Sequence, residues 1–375
     1  MLTRQRVITY GIPTLAAATV AFAFGVHPWR SSAQPSDPVH TAGDSHRVDV
    51  VFAVDTTGSM GGLLDGAKRT VWSIATHIRQ VDPQADLHVG LVAYRDIGDD
   101  YVTKDFALTS DMDSVFAELS RYQADGGGDT PEDVAAALYD ALHKMQWRDG
   151  AKKMVFLVGD APPADRGDVP RFDVLASEAA QMQITLNTIR CGFDRETQVA
   201  WQQIASLGHG EFSTISQDGG VQQVATPYDQ KLAELSATVD GTAVISGEDN
   251  RRAYAGKMAA QAAAPAAAKA DRAGYYATKG GNRDDNDVVG AAMGAGSAAG
   301  IVEALKPEAL PADMRGMDKT QLKQEIEKRV AVRKDAQKQI DQLNKERSQY
   351  LKDNAAKGEG GFDAKVNATV DHQLK

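Results

Sequence analysis

The chain has 375 residues, a formal net charge of −10 and one cysteine, Cys191. That length exceeds an average domain, so one sizeable core with appended segments is expected. The acidic balance and the lack of a clustered Lys/Arg patch exclude a nucleic-acid backbone as partner, and a single thiol excludes an internal disulfide.

In chain order, Arg4 and Arg6 precede an uncharged run from Val7 to Val26, the basic and apolar regions of an export signal. Residues 1–33 are read as a signal peptide cleaved after small residues near Ala23 or Ala33, with an uncleaved membrane anchor through 7–26 as the alternative. Either reading puts the body outside the cytoplasm, periplasmic or secreted. Residues 34–47 form a linker.

From 48 to 240 short apolar runs alternate with helical patterns. "VDVVFAV", "LHVGLVAY", "KMVFLVG" and "ITLNTI" read as strands greasy on both faces, as central strands of a covered parallel sheet are. "YVTKDFALT" alternates and is an edge strand, and "GEFSTIS" closes the sheet. Leu63, Ala67, Val71, Ile74 and Ile78 recur at helical spacing, as do Val134, Leu138, Leu142 and Met145. The segment around "VQQVATPYDQKLAELS" is the last helix of the domain. The order β-α-β-β-α-α-β-α-β-α-β-α predicts an α/β fold, doubly wound and mostly parallel with one antiparallel edge. Cys191, ending an apolar run, reads as a buried small hydrophobe.

Beyond 240 the composition changes. The Ala-rich and turn-prone stretch 241–286 reads as a low-complexity linker, and 287–375 as a helical C-terminal region. Within the latter, "VVGAAMGAGSAAGIV" reads as loosely packed or disordered. A helix is expected from Asp318 to about Asp353, started by a capping box of Asp318 with Gln321. Arg329, Arg333 and Arg347 interrupt its apolar seam, which argues against a sustained coiled coil and for a solvated helix that docks on a partner or on the main domain.

Ligands of an open α/β sheet bind where the carboxyl ends of the strands meet their loops. Three loops at that edge are rich in oxygen: Asp55-Thr56-Thr57-Gly58-Ser59, whose alternate residues Asp55, Thr57 and Ser59 can face one cavity; "GGGDTPED", with Asp129 and Thr130; and Asp160 after "VFLVG". Carboxylates and hydroxyls without His or thiolate are hard ligands, which suit Mg2+, Mn2+ or Ca2+ and disfavour zinc or copper.

These motifs resemble the von Willebrand factor type A domain, whose metal-ion-dependent adhesion site uses Asp-x-Ser-x-Ser, a Thr or Asp on a second loop and an Asp on a third. Asp55, Thr57 and Ser59 match the first motif, with Thr in place of the first Ser. "DTTGSM", "AYRD", "GGGDTPED" and "GDAPP" are similar to a subgroup in which Asp129 replaces the usual Thr, so Asp129 and Thr130 remain alternatives for the second loop. The resemblance covers roughly half the chain, on four motifs in order. It implies a non-enzymatic binding module in which the cation bridges to an Asp or Glu of a protein ligand. A scaffold whose metal is structural and whose helical tail makes the contact is the second hypothesis.

Each residue also has a structural reading: Asp55 as an Asx turn, Thr130 as the N-cap of a helix opened by Pro131, Asp160 as the start of a Pro turn. The constellation outweighs these single readings. An aspartic protease needs a second Asp-Thr-Gly, a phosphate loop needs Lys-Ser/Thr after its glycines, and a zinc hydrolase needs paired histidines; none occurs. The tripeptide Arg166 to Asp168 and the sequon at Asn367 are short matches of little weight.

Overall fold

The first strand among the described residues, β1 (Arg47–Asp55), becomes the centre of the sheet. The computed structural model describes residues 46–128, 130–220, 224–354 and 361–374, all within one compact unit. The signal or anchor expected over 1–33 lies outside the described residues. Among the described residues no helix is long and apolar enough to cross a membrane.

Successive elements are α1 (Gly61–Val81), β2 (Asp86–Tyr94), β3 (Thr103–Thr109), α2 (Met112–Arg121), α3 (Val134–His143), β4 (Lys152–Gly159), α4 (Phe172–Gln181), β5 (Ile184–Cys191), α5 (Arg195–Leu207), β6 (His209–Ile215) and α6 (Asp229–Gly241). The sheet order is β3-β2-β1-β4-β5-β6, with only β3 antiparallel to its neighbour. The expected strand and helix order and the antiparallel edge are those observed. Side chains of a strand alternate between faces, and β1 is buried on both. Val50, Phe52 and Val54 pack with α1 and α2 residues such as Leu63, Trp72 and Phe116. Val51 and Ala53 pack with α3, α4 and α5 through Leu138, Leu175 and Trp201. Asp49, fully buried within β1, is answered by Arg148, whose backbone N–H and Nε donate to it at 2.9 and 2.7 Å.

The sheet reverses its winding between β1 and β4, because the chain leaves β1 toward β2 and later returns on the other side to β4. A crevice opens at such a switch point, at the carboxyl ends of the two strands. Register brings Asp55 opposite Tyr94, and Val54 opposite Val158, so Asp55, Tyr94 and Gly159 end in one layer.

The C-terminal part corrects three expectations. The stretch read as a linker, 241–286, holds α7 (Glu248–Ala263) and α8 (Ala266–Thr278). Alanines 267, 268, 270 and 273 of α8 are buried, and Tyr275 and Tyr276 lie 5.6 and 5.8 Å from the Trp72 ring of α1. Small side chains let these helices approach closely, which composition alone presents as low complexity. The small-residue run read as loose forms α9 (Val288–Gly294) and α10 (Ala299–Ala304), whose Val288, Val289 and Val302 pack on Leu322 and Ile326. Those two residues belong to α11 (Lys319–Asp353), started by the expected Asp318–Gln321 capping box. Finally, two arginines thought to break the α11 seam are buried in it: Arg333 donates to Asp287 at 2.5 Å and to the Thr242 hydroxyl at 2.7 Å, and Arg347 donates to Asp229 and Asp271 at 2.6 Å each. The last helix, α12 (Phe362–Gln373), lays Phe362 6.0 Å from the Phe52 ring of β1.

A further arginine joins this layer to the sheet domain. The fully buried Arg272 of α8 donates Nε and Nη2 to the two carboxylate oxygens of Asp113 in α2 at 2.6 and 2.7 Å. It also donates to Asp240 of α6 at 2.8 and 3.0 Å. Truncating one member of such a network strands buried charge, so Arg272→Ala is expected to lower unfolding free energy by about 3–5 kcal/mol, measured by urea denaturation.

Candidate metal site at the strand ends

Asp55 ends the central strand with its whole side chain buried. Its Oδ1 accepts from the Thr57 backbone N–H at 2.9 Å and from Thr57 Oγ1 at 2.7 Å, an Asx-type turn that draws the chain out of the sheet. The structural reading of Asp55 as a turn former is therefore true of one oxygen. Its other oxygen, Oδ2, is buried and has no hydrogen-bond partner among the described residues. A carboxylate oxygen left so costs a desolvation penalty unless a cation or donor answers it.

The neighbours of Asp55 do not supply that donor. Asp160, directly after β4, stands close enough for its charge to act on Asp55. Burial, and then this neighbouring acid, overcome the Thr57 hydrogen bonds and push the Asp55 carboxyl up to about 7. The buried Tyr94 phenol is raised too, by burial and then by the charges of Asp55, Asp160 and Glu132. Gly159 leaves the space between them: a Cβ there would lie 3.2 Å from Asp55 Oδ2 and collide with the Tyr94 hydroxyl. The Tyr94 hydroxyl itself donates to the Val158 carbonyl at 3.3 Å, away from the acids.

Thr57 is buried and Ser59 exposed, with their hydroxyls 3.4 Å apart, so the first motif runs from the buried floor to the surface. Asp160 Oδ2 accepts from the Gln217 side-chain amide, which also donates to the Ser59 carbonyl at 3.4 Å. Asp55, Thr57, Ser59 and Asp160 thus form one group. Asp129 lies outside the described residues. Thr130 is exposed and no hydrogen bond among the described residues ties it to that group. Nor does it cap the helix: Asp133 does, accepting from Ala136 N–H at 2.9 Å, and α3 begins at Val134 rather than at Pro131.

The glycine-rich loop is fastened over this floor. Gly58 N–H donates to the Gly126 carbonyl at 3.3 Å and Asp125 N–H to the Thr56 carbonyl at 3.1 Å. Gly126 and Gly127 take φ of 77° and 79°, a region that favours glycine, and Gly127 N–H donates to both oxygens of Asp99 at 3.2 Å. A Cβ on Gly127 would lie 3.0 Å from Thr57 Cβ and 3.5 Å from Glu132 Oε1, which places the buried Glu132 beside the floor as well.

Sequence reasoning missed Glu132 and Gln217. Glu132 was legible only as the acid after the proline of "GGGDTPED"; Gln217, in a loop after β6, gave no signal. The tripeptide at Arg166 is used internally, since Arg166 pairs with Asp96. Cys191 is a buried free thiol that burial holds protonated, as expected of a small core residue.

Among the described residues no three His, Cys, Asp or Glu side chains converge as metal ligands. The donors gathered at the strand ends are instead two carboxylates and two hydroxyls, all hard oxygens.

Residues 49–227 match the family model described as von Willebrand factor A domain, and this part of the chain is such a domain. Human von Willebrand factor A domain-containing protein 7 is 36% identical over 209 residues, 52% of this chain and 22% of that protein. The alpha-protein kinase vwkA of Dictyostelium discoideum is 29% identical over 122 residues, 32% of this chain and 19% of that protein. The chain therefore spans only 22% and 19% of these relatives' lengths. Among solved structures, the conserved hypothetical protein BatB from Bacteroides thetaiotaomicron is 19% identical, with 45% of this chain and 90% of that one covered and a TM-score of 0.36.

The crowded acids predict a pH dependence. Asp55 has its folded value raised from 3.8 to about 7, so between those limits the folded metal-free protein binds more protons than the unfolded chain. Its contribution to stability is present below that window and is lost as pH rises through it. Urea unfolding in EDTA should show stability falling by on the order of 1 kcal/mol per pH unit across the window. Asp55→Asn should flatten that slope.

Proposed function

We propose that this domain is a non-enzymatic binding module that holds one hard divalent cation, Mg2+ with Mn2+ or Ca2+ as alternatives, and presents it to an Asp or Glu of a protein partner. The observation that carries this reading is the buried, unanswered Oδ2 of Asp55 beside Asp160. Two carboxylates pushed together at a switch point, with the Thr57 hydroxyl and, among the described residues, no basic side chain donating to Asp55, fit a cation. Asp55, Thr57, Ser59 and Asp160 would hold it, with Asp129 or Thr130 from the glycine-rich loop.

When bound, the cation supplies the missing positive charge and an electrophilic face for an acidic side chain. The rest is done by the chain. Thr57 fixes the Asp55 carboxyl through Oδ1 and leaves Oδ2 for the ion. Gly159 keeps the floor open, and Ser59 brings a hydroxyl to the exposed rim where a partner can reach it. The Arg4, Arg6 and 7–26 pattern supports an extracytoplasmic position for the module.

The scaffold alternative needs a tail free to make the contact. Helix α11 instead buries Leu322, Ile326, Arg333, Ala336, Ile340 and Arg347 within the same unit.

Calorimetric titration of the EDTA-stripped protein with Mg2+ and Mn2+ tests the site. Saturable binding is expected, lost in Asp55→Ala and weakened at least about tenfold in Ser59→Ala. Partner capture from an extracytoplasmic fraction should be abolished by EDTA and by Asp55→Ala. Capture that persists in that variant, with only thermal stability lowered, would favour the scaffold.

A further inference from the structure

Gln217, in the loop after β6, is exposed and turns a hydrogen-bond donor toward the strand-end acids. Its Nε2 donates to Asp160 Oδ2 and, at 3.4 Å, to the Ser59 carbonyl. Its Oε1 lies against Gly192, where a Cβ would collide with it, so the donor end of the amide is the end that faces the acid. An amide nitrogen carries two N–H groups and no acceptor. It is therefore drawn to the same oxygens that a hard cation seeks.

The backbone that carries Gln217 is closed without the help of its side chain. Gly219 N–H donates to the Ser216 carbonyl at 2.9 Å, and Gly220 N–H to Asp218 Oδ1 at 3.0 Å. The turn presses on the start of α1, where a Cβ on Gly62 would lie 2.8 Å from Asp218 Cα. On its other side the Gly219 carbonyl accepts from the Phe362 N–H of α12 at 3.0 Å. The turn is thus fixed by its own bonds and by two helices, while the exposed Gln217 side chain can change rotamer without moving it.

We infer that Gln217 is a displaceable plug of the strand-end site, whose amide competes with the cation for Asp160 and sets the concentration at which the site loads. This rests on the cation reading proposed above. Loading exchanges the amide for the ion at Asp160 Oδ2 and releases the Gln217 side chain to solvent. The bond given up is made to a charged group, which strengthens it, but it lies at the exposed rim, where water replaces it. The competition therefore amounts to about three- to tenfold in affinity.

Calorimetric titration of the EDTA-stripped wild type, Gln217→Ala and Gln217→Met with Mg2+ tests the plug; the Met variant keeps the length of the side chain and lacks the amide. Both variants are expected to bind Mg2+ about three- to tenfold more tightly than the wild type. In the nitrogen-labelled wild type, the Gln217 side-chain NH2 protons should exchange with solvent faster in saturating Mg2+ than in EDTA. Equal affinity in all three proteins, or unchanged exchange, would overturn the plug and leave the cation reading standing. Tighter binding in Gln217→Ala alone would overturn it by assigning the effect to bulk. Weaker binding in both variants would overturn it by making the amide an oxygen ligand of the ion. Absence of saturable Mg2+ binding to all three would sink the cation reading and the plug with it.

Discussion

The desolvation of one carboxylate organises the sheet edge. Asp55 ends a strand that is buried on both faces, so its charge can be answered only along the strand axis, through the crevice that the switch point opens. Thr57 answers one oxygen from within the turn, and Asp160 approaches the remainder from the neighbouring strand. Parallel pairing leaves no freedom here, because a one-residue slip of β1 against β4 would turn Asp55 to another face. The glycines at 127 and 159 follow from the same crowding, since each lies where a side chain would press on the floor, whereas a side chain at Gly126 would strike Asp99. The domain assignment rests on this edge and on the match of residues 49–227.

The helices beyond α6 obey a different physics. Their contact with the domain is made by aromatic rings around Trp72 and by arginines sunk between acids: Arg272 with Asp113 and Asp240, Arg333 with Asp287, Arg347 with Asp229 and Asp271. Buried pairs of this kind add little net stability over apolar packing, but each partner makes the other's removal costly. They demand a defined geometry in a layer whose alanines alone would pack in many ways. Arg283, at the edge of the same network, is held by Asp240 and Ser236 on one side only, and that asymmetry distinguishes it from Arg272.

The sheet was legible because its signal is local. Continuous apolar runs gave the central strands, alternation gave the antiparallel edge at Thr103–Thr109, and the spacing of Leu63 to Ile78 gave α1. Asp55, Thr57, Ser59 and Asp160 could be placed together because strand ends converge in a doubly wound sheet. What escaped the sequence depends on partners far along the chain. Glu132 lies buried beside Gly127, and Gln217 reaches Asp160 across 57 positions. Helices α7 and α8 bury charge and alanine where periodicity searches for large hydrophobes, so the stretch that holds Lys257, Gln261 and Arg272 reads as a linker although these three are buried.

Helix α1 is also the element that both halves share. Its first turn follows the Ser59 hydroxyl, while Trp72 at its middle is roofed by Tyr275 and Tyr276, and Phe362 of α12 completes the β1 face beside it. The segment that matches the family ends at 227, before any of these covering residues. The unit inherited as a family module and the unit that folds are consequently different lengths of chain. A fragment trimmed to the family boundary would bare the Trp72 indole and the Phe52 ring to water.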